Sequence, residues 1–427
     1  MQTVTEPARQ TDIIAEYDVL VCGGGPAGVA AALAAARGGA RTAVLEVAGC
    51  LGGVWTAGSL SWILDHDNKD GIMQELLARL QARGARGVDS QGRFTNAYDV
   101  ETMKAELERL CSEAGVTIQY HTRVVAALVA GRQLTHVITE SKSGREAIAA
   151  KVFVDATGDG DLGAQAGCGF DVGHPETGAT QPMTLMALIA GVDRVAIRPF
   201  YREHDDADGW AASKDRLRAA MIAGGHDPSY RKPTLFHIRD DLFAMMANHE
   251  YGVSALDVRD LTAATLRART EIHALVDGLR AQGGVWADVR VVATGAQIGV
   301  REGRRIHGRY TVTEDDLRDG ARHDDAVCRV TFMIDVHATN PKEGKDIEPV
   351  PFRAKPYDIP LRALIAADVD GLLLAGRCIS GDFLAHSSYR VTGNSVALGE
   401  AAGRVAARAA LTGRPPHAIP HSEIATG

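Results

Sequence analysis

The sequence predicts an α/β fold in which helices cover a mainly parallel sheet and a second domain of α+β type is inserted into the chain. Two observations lead to this prediction. Three separate apolar segments, ending near 22, 154 and 375, run into glycine and charged residues, as strands do where a parallel sheet meets a ligand crevice. Between the second and third segments, at 180–290, tryptophan, arginine, histidine and methionine become more frequent and helical stretches appear.

The first apolar segment belongs to a dinucleotide-binding pattern. A strand at 17–22 is followed by the glycine turn Gly23-x-Gly25-x-x-Gly28 and a helix at 29–37. A second strand at 44–45 then ends in the acid Glu46. Gly23 permits the tight turn, Gly25 lets the backbone approach a pyrophosphate, and Gly28 lets the helix pack on the strand. The helix N-terminus offers free N–H groups to the phosphates, and Glu46 is placed to accept hydrogen bonds from a ribose.

A glycine-rich segment, 50–61, follows the acid. We expect it to wrap a bound dinucleotide with its backbone amides, with a simple connection as the alternative. Cys50 lies in this segment, and a redox or covalent role competes with that of an ordinary reduced thiol. No two of the six cysteines have C-x-x-C spacing, which argues against iron–sulfur and zinc sites.

Composition limits the partners. The 46 basic and 54 acidic residues give a net charge of −8 without a dense basic run, and aromatic residues make up 5%. Nucleic acid and anionic membranes are therefore not expected as partners. Residues 1–16 lack the apolar stretch of a signal peptide, so we expect a disordered tail and a cytoplasmic protein. A second tail is expected at 413–427.

Periodicity predicts the remaining elements. Amphipathic helices are expected at 72–83 and 100–114, the latter ending at Gly115, and further helices at 242–248, 261–279 and 392–411. Strands are expected at 116–120, 123–129, 291–313 and 328–336, with a hairpin of 134–140 and 147–154 around Ser143-Gly144.

The other two apolar segments end in chemically distinctive loops. The second runs into Gly158-Asp159, and the third into Gly376-Arg377. The helix that begins at Thr392 could aim its free N–H groups at a partial negative charge. The glycine spacing recurs once, at Gly158-x-Gly160-x-x-Gly163, but the complete order of strand, glycine turn, helix, strand and acid does not, so no separate nicotinamide domain is predicted.

Taken together, the chain resembles the FAD-dependent oxidoreductases of the glutathione-reductase-like superfamily, and within it the group related to the flavin subunit of heterodisulfide reductase and to glucose-inhibited division protein A. The motifs are YDVLVCGGGPAGVAAALAAARGG, FVDATGDGDLGAQAG, QPMTLM, QIGVREGRRIHGRYTVTEDDL, YDIPLRALI and GLLLAGRCIS. The resemblance implies a Rossmann-like FAD-binding domain of the glutathione-reductase and hydroxybenzoate-hydroxylase type. That domain would be discontinuous, formed by 17–180 and 355–412, with a substrate or cap domain at 181–354.

The family also implies which residues contact FAD. The loops at 158–159 and 376–377 would lie beside the ribityl chain and the second phosphate face, and the helix start at 392–396 would face flavin N1 and the C2 carbonyl. The implied set is Gly23, Gly25, Pro26, Ala27, Gly28, Glu46, Gly52, Gly53, Thr56, Val124, Ala156, Gly158, Asp159, Gly376, Arg377, Asp382, Thr392, Gly393, Asn394, Ser395 and Val396.

The sequence departs from the family at 381–386. Family members commonly have a histidine and a glutamate there, whereas this chain has Gly381-Asp382 followed by His386. The variant is similar to flavin hydroxylases of the hydroxybenzoate type, whose aspartate binds the ribityl chain. The iron–sulfur cysteines of heterodisulfide reductase are missing, and so is the W-x-W-x-I-P motif of halogenases.

Four residues are candidates for catalysis, and none for binding a metal. Arg301 could bind a substrate carboxylate or stabilise anionic flavin, or could form a structural ion pair with Glu302 or Asp315. His386 could be a general base or a buried packing residue. Tyr389 and Arg390 follow it, directly before the helix that would face the flavin.

The predicted function is oxidation of a small molecule by hydride transfer to flavin N5, with reoxidation by oxygen or another acceptor. The alternative is a single-component monooxygenase or a reductase fed by NAD(P)H. A flavin-binding partner subunit or RNA-modifying factor is a third class, disfavoured by the missing basic run and cysteine ligands. No motif at 180–350 identifies the substrate.

Overall fold

The structure is a computed structural model that describes residues 2–203, 209–342 and 344–424. In chain order, the strands of this part of the chain are β1 (Ile13–Cys22), β2 (Thr42–Leu45), β3 (Arg86–Val88), β4 (Phe94–Tyr98), β5 (Thr117–Gln119), β6 (Arg123–Ala130), β7 (Gln133–Ser141), β8 (Gly144–Asp155), β9 (Phe170–Asp171), β10 (Ala187–Ala190), β11 (Thr234–Arg239), β12 (Leu242–Met246), β13 (Arg290–Thr294), β14 (Arg305–Ile306), β15 (Ala326–Val330), β16 (Tyr357–Pro360) and β17 (Leu372–Leu374). The α-helices are α1 (Pro26–Arg37), α2 (Ile72–Ala82), α3 (Val100–Glu113), α4 (Asp161–Gln165), α5 (Gly209–Ala223), α6 (Val258–Ala281), α7 (Glu314–Asp319), α8 (Phe383–Tyr389) and α9 (Thr392–Thr412).

The main sheet confirms the predicted parallel arrangement. Its order is β5-β2-β1-β8-β7-β6, and β17 also pairs with β8. β5, β2, β1, β8 and β17 run parallel to one another, whereas β7 pairs antiparallel with both β8 and β6. Val21 lies between Val44 and Val154, and all three are fully buried. Since parallel strands end at the same edge, the loops after β1, β2, β8 and β17 lie along that edge.

Two long helices cover one face of this sheet in direct contact. A Cβ added at Gly399 of α9 would collide with the carbonyl oxygen of Ala27 in α1, and one at Gly403 would collide with that of Ala31. Each helix advances by four residues between the two contacts, so α1 and α9 run in the same direction. Their N-termini therefore lie at the same end, at the edge where the parallel strands finish.

A second sheet forms the inserted region. Its order is β11-β12-β10-β13, and every described pairing in it is antiparallel. α5 and α6 accompany this sheet and share a hydrophobic core with it, which is distinct from the core under the main sheet. The fully or almost fully buried side chains at its centre include Leu185, Phe243, Leu275 and Trp286.

One helix prediction was wrong. The segment 242–248 was predicted as helical, but Leu242–Met246 is strand β12 at the centre of the second sheet. Ala244 pairs with Leu188 on one side and with Phe236 on the other. Leucine, alanine and methionine favour helices locally, and the pairing on both edges outweighs that preference.

Several boundaries also differ from expectation. β1 begins at Ile13, inside the predicted tail, because its first residues continue the ladder with β8 at Ala147. The strands expected at 291–313 and 328–336 are shorter: β13, β14 and β15 pair as strands there, and Gly299, Gly308 and Val312 form isolated bridges. At the other end, Glu423 accepts hydrogen bonds from Arg408 and Arg414, which ties part of the expected C-terminal tail to the end of α9.

Among the helices of the described residues, none is both long enough and apolar enough to cross a membrane.

We predict that Gly403→Ala lowers the free energy of unfolding by about 1–3 kcal/mol, because the added methyl group forces α1 and α9 apart. Urea unfolding of the variant and the parent protein measures this difference. Gly344→Ala is the matched control: its added Cβ meets only an ordinary contact, so its stability should stay within about 1 kcal/mol of the parent. A Gly403→Ala variant as stable as the parent would contradict the tight helix contact.

Candidate cofactor and substrate site

A large cavity of about 1250 Å³ opens at the edge where the parallel strands end. Residues of the main sheet form one part of its wall, among them Gly23, Glu46 and Gly158. Residues of the second sheet and its neighbours form the other part, among them Met186 and Arg301. The cavity therefore joins the predicted dinucleotide site to the inserted region.

The glycine turn between β1 and α1 has the geometry that its sequence predicts. Gly23 has a φ of +101°, and an added Cβ at Gly28 would collide with the carbonyl oxygen of Gly23. In contrast, an added Cβ at Gly25 would meet nothing within 4 Å, so the backbone there is open to the cavity. Pro26 occupies the first turn of α1 and Ala27 follows it, both in the cavity wall. The N-terminus of α1 is thus accessible to a phosphate.

Glu46 is buried at the end of β2 and lines the cavity. Its carboxylate accepts hydrogen bonds from the backbone N–H of Gly24 at 2.7 Å and of Ala48 at 2.8 Å. Burial raises the pKa of Glu46 above its usual value, although the two backbone N–H groups oppose the shift. Each carboxylate oxygen retains a lone pair, so Glu46 can brace the glycine turn and still accept a ribose hydroxyl.

The loops after β8 and β17 meet across the cavity wall. Arg377 donates a hydrogen bond to Asp159 at 3.1 Å, and both Gly158 and Gly376 have a φ of +84°. Burial raises the pKa of Asp159, and the charge of Arg377 opposes that shift. Arg377 Nη1 is buried and has no hydrogen-bond partner among the described residues. This donor can serve an anionic ligand.

The start of α9 forms a third part of the wall. Thr392 and Ser395 line the cavity, and the buried Thr392 hydroxyl has no partner within the described part of the chain. Gly393 packs closely against the backbone of 64–65, while Asn394 and Val396 are buried behind the cavity. The predicted stretch 392–396 therefore divides into two residues that face the cavity and three that hold the helix in position.

The remaining predicted cofactor residues divide in the same way. Gly53, Val124 and Ala156 line the cavity. Gly52 lies behind the cavity wall and donates its N–H to the Gly24 carbonyl at 2.7 Å. Thr56 is buried, and its hydroxyl donates to the Leu51 carbonyl at 2.5 Å. The hydroxyl of Thr56 is also 3.6 Å from the sulfur of Cys50, which is free and partly exposed.

Asp382 is not placed as its sequence motif suggests. Its carboxylate caps α8 by accepting the N–H of Ala385 at 2.7 Å, and it also accepts the N–H of Glu314 at 2.6 Å. The residue is not part of the cavity wall. Because the side chain of Asp382 does not line the cavity, the predicted ribityl contact at this residue is not supported.

His386 and Tyr389 are likewise away from the cavity. The side chain of His386 is fully buried in α8, and neither ring nitrogen has a partner in the part of the chain that the structure describes. Burial, reinforced by the charge of Arg390, lowers the pKa of His386 well below its usual value. Tyr389 is fully buried and donates its hydroxyl to the Ile379 carbonyl at 3.0 Å. A general base at His386 is therefore not supported, because the ring has no access to a substrate.

Arg301 does line the cavity, and it forms neither of the predicted ion pairs. Glu302 binds Arg305 at 2.6 Å instead, and Asp315 binds Arg318 at 2.7 Å. The guanidinium group of Arg301 donates from Nη1 to two neutral oxygens, those of the Pro182 carbonyl and the Thr184 hydroxyl. This arginine is thus available to a ligand.

Arg390 also reaches the cavity, where it holds Asp335. Its Nη2 donates to the Asp335 carbonyl at 2.7 Å and approaches the carboxylate at 3.4 Å, and its Nη1 donates to the Arg301 carbonyl at 3.3 Å. Burial lowers the pKa of Arg390 to about 10, against the effect of Asp335. The start of α9 and the inserted region are therefore linked through one side chain.

The structure adds an acid–base pair that the sequence analysis missed. Asp335 Oδ2 lies 3.3 Å from His337 Nε2, and both residues line the cavity. Burial alone would raise the pKa of Asp335, but His337, Arg390 and Arg301 together lower it. Burial and Arg301 lower the pKa of His337 to about 4, so the ring is neutral at pH 7. The Asp-x-His spacing was the available signal, because alternate residues of an extended chain point to the same side.

A dinucleotide fits this arrangement. The open backbone at Gly25 and the N-termini of α1 and α9 suit phosphate and flavin groups, and the unpartnered Thr392 hydroxyl and Arg377 Nη1 supply donors inside the wall. Among the described residues, no group of three or more histidine, cysteine or acidic side chains could hold a metal ion.

The comparisons with known proteins identify the family and the cofactor. A family model described as FAD dependent oxidoreductase matches residues 18–426. The chain belongs to the FAD-dependent oxidoreductase family. FAD is therefore its cofactor, and the Rossmann-type fold predicted from the sequence is confirmed. No curated protein matches the sequence significantly.

Solved structures similar to this flavoprotein include three enzymes or enzyme-like proteins. The flavin-dependent brominase Bmp2 has a TM-score of 0.50 at 14% identity, over 93% of this chain and 80% of its own. A geranylgeranyl bacteriochlorophyll reductase-like protein from Thermoplasma acidophilum has a TM-score of 0.45 at 13% identity, over 96% of this chain and 80% of its own. The anhydrotetracycline hydroxylase OxyS from Streptomyces rimosus has a TM-score of 0.46 at 14% identity, over 96% of this chain and 64% of its own. At 14% identity the brominase shares the fold, and nothing follows about the substrate.

We predict that Glu46→Gln weakens FAD binding about 10- to 100-fold, because an amide N–H would face the N–H of Gly24 or Ala48 and a charged acceptor is lost. Titration of the deflavinated protein with FAD, followed by flavin fluorescence, gives the dissociation constant. The exposed Glu16 provides a matched control, and Glu16→Gln should bind FAD like the parent. An unchanged dissociation constant for Glu46→Gln would contradict the role of this carboxylate.

Proposed function

We propose that this flavoprotein oxidises a small organic molecule and that His337, paired with Asp335, accepts the proton released from the substrate. The observation that carries the proposal is this pair in the wall of the cavity, beside Arg390 and the start of α9. The proposal replaces His386 as the base. It keeps the predicted direction, in which the substrate is the electron donor.

The division of labour follows from the contacts. The glycine turn, Glu46 and Arg377 would hold FAD, which supplies the hydride acceptor when bound. Asp335 stays ionised and orients His337 through Nε2, which leaves Nδ1 as the basic nitrogen. Nδ1 is buried and has no partner in the described chain. Once Nδ1 takes a proton, the carboxylate of Asp335 stabilises the imidazolium, as a triad aspartate does.

The inserted region would supply the substrate side of the cavity. We propose the predicted division of the chain for this reason, with the FAD-binding domain at 17–180 and 355–412 and the cap at 181–354. The separate core of the second sheet supports this division. The specific relation to the heterodisulfide reductase flavin subunit and to division protein A stays a prediction.

The monooxygenase alternative has less support from the structure than from the sequence alone. Two observations supported it, Gly381-Asp382 and the single complete dinucleotide motif, and the first is weakened because Asp382 caps a helix away from the cavity. The second sheet is antiparallel in all its described pairings, so it is not a second Rossmann unit that could hold NAD(P)H. Nicotinamide would have to enter the same cavity as the substrate.

A spectrum of the anaerobic holoprotein distinguishes these functions. We expect the absorbance of bound FAD to persist for many minutes with NADH or NADPH, because in the proposed reaction the organic substrate donates the electrons. A panel of small organic substrates should contain compounds that bleach the flavin. Rapid bleaching by NADH or NADPH would overturn the proposal and favour the monooxygenase or reductase.

With a substrate that reduces the flavin, we predict that His337→Gln slows anaerobic flavin reduction about 10²- to 10⁴-fold. In the parent protein the rate should be constant between about pH 5.5 and 8, since the base form of a histidine with a pKa near 4 persists throughout this range. His307→Gln, at a histidine outside the cavity wall, is the matched control and should leave the rate unchanged. Stopped-flow absorbance measures both effects. A His337→Gln rate like that of the parent would assign the proton to another group, and an inflection near pH 6.5 would mean that the pKa of His337 is not lowered in the cavity.

A further inference from the structure

We infer that the substrate is a small carboxylic acid with an apolar, flat body, and that Arg301 binds its carboxylate. The inference concerns the substrate side of the same cavity and therefore rests on the proposed function. It also decides between the two ligand roles that the sequence left open for Arg301, the substrate carboxylate and the anionic flavin.

The guanidinium group of Arg301 is held firmly along one edge. Nη1 donates to the carbonyl of Pro182 and to the hydroxyl of Thr184, both at 2.7 Å. Among the residues that the structure describes, the hydrogen-bond partner of Nη2 is the sulfur of Met246, at 4.0 Å. Arginine presents its donors in a rigid plane, so fixing one edge also fixes the direction of the other. The second edge is thus aimed and lacks a strong acceptor.

No acidic side chain of the described residues forms an ion pair with Arg301, although acids are present in the cavity wall. Asp335 is the acid whose charge opposes the lowering of the Arg301 pKa by burial, and its carboxylate already pairs with His337 and Arg390. Asp159 binds Arg377. Arg301 is partly buried, and a cation in that position gains from a counter-ion because removing an unpaired charge from water is costly. A bound carboxylate would supply one and would form charge-assisted hydrogen bonds with the guanidinium.

Two further acids of the wall are also committed to their own arginines. Glu203 lies 3.1 Å from Arg194, and Asp89 lies 2.7 Å from Arg93. The acids on the substrate side of the cavity are therefore paired with arginines, whereas Arg301 is held by neutral groups and Arg202 and Lys214 add further positive charge to the wall. An anionic substrate matches this distribution of charge, whereas a cationic one would lie against Arg301 without a counter-ion.

The wall next to Arg301 is apolar and partly aromatic. Trp62 and Phe236 are stacked, with ring centroids 4.7 Å apart and an interplanar angle of 28°. Leu60, Met186 and Met246 belong to the same hydrophobic cluster as Phe236, and all of them line the cavity. Methionine adapts to flat ring surfaces, and aromatic walls favour flat ligands. A ligand bound to Arg301 through its carboxylate would place its body against this wall.

The test compares matched acids and amides in calorimetric titrations of the oxidised holoprotein. The probes are benzoate, phenylacetate and 3-phenylpropionate, each with its neutral amide. We expect at least one acid to bind about 10-fold or more tightly than its amide, because only the acid is charged. Arg301→Gln should weaken binding of that acid about 10- to 100-fold and leave the amide within about 3-fold.

Two more variants sharpen the result. Arg301→Lys should restore part of the preference for the acid, since lysine keeps the charge but lacks the planar fork. Arg290→Gln, at an exposed arginine of β13 outside this cavity, is the matched control and should bind every probe like the parent. The comparison of acid with amide in the parent protein needs no variant, so it remains decisive if a substitution impairs folding.

The inference is wrong if no acid binds more tightly than its amide, or if Arg301→Gln weakens acid and amide equally. It is also wrong if Arg301→Gln leaves acid binding unchanged and lowers the reduction potential of the flavin, which would assign Arg301 to the cofactor. These measurements do not depend on turnover. A protein that selects acids but is bleached only by NADPH would therefore refute the proposed function and leave the carboxylate site standing.

Discussion

The close contact between α1 and α9 is the constraint on which the rest of the site depends. Gly399 and Gly403 let the backbones of two parallel helices touch, which no residue with a side chain would allow. Because of this contact, two helix N-termini that are more than 300 residues apart in sequence meet at one edge of the sheet. A single packing interaction thus brings together the helix N-terminus expected to bind the phosphates and the one expected to face the flavin.

Around this fixed part, the cavity is built from charges that mostly neutralise one another. Asp159 with Arg377, and Asp335 with Arg390, bring acid and base into the wall together. Arg390 also donates to the carbonyl of Arg301, so the start of α9 is hydrogen-bonded to the inserted region. The residues proposed to handle the proton and to bind the substrate therefore share one network with the helix that would face the flavin.

The parts of this site that local sequence specifies were predictable, and the parts that depend on distant packing were not. The glycine turn and Glu46 follow from a contiguous strand–turn–helix pattern. His386 looked like a base, but only the packing of α8 determines that its ring is buried away from the cavity. His337 was missed because its importance depends on Arg390 and Arg301, which come from other parts of the chain. Likewise, β12 is a strand only because β10 and β11 flank it.

The inserted region has its own hydrophobic core, and this has a consequence for how such a flavoprotein can diversify. Its central side chains, such as Phe243 and Leu275, pack with one another rather than with the core under the main sheet. Changes on the cavity side of the second sheet can therefore accumulate without loosening the nucleotide-binding half. Selection can remodel substrate choice on an unchanged redox scaffold, and laboratory evolution directed at Met186, Phe236 and Met246 would exploit the same independence.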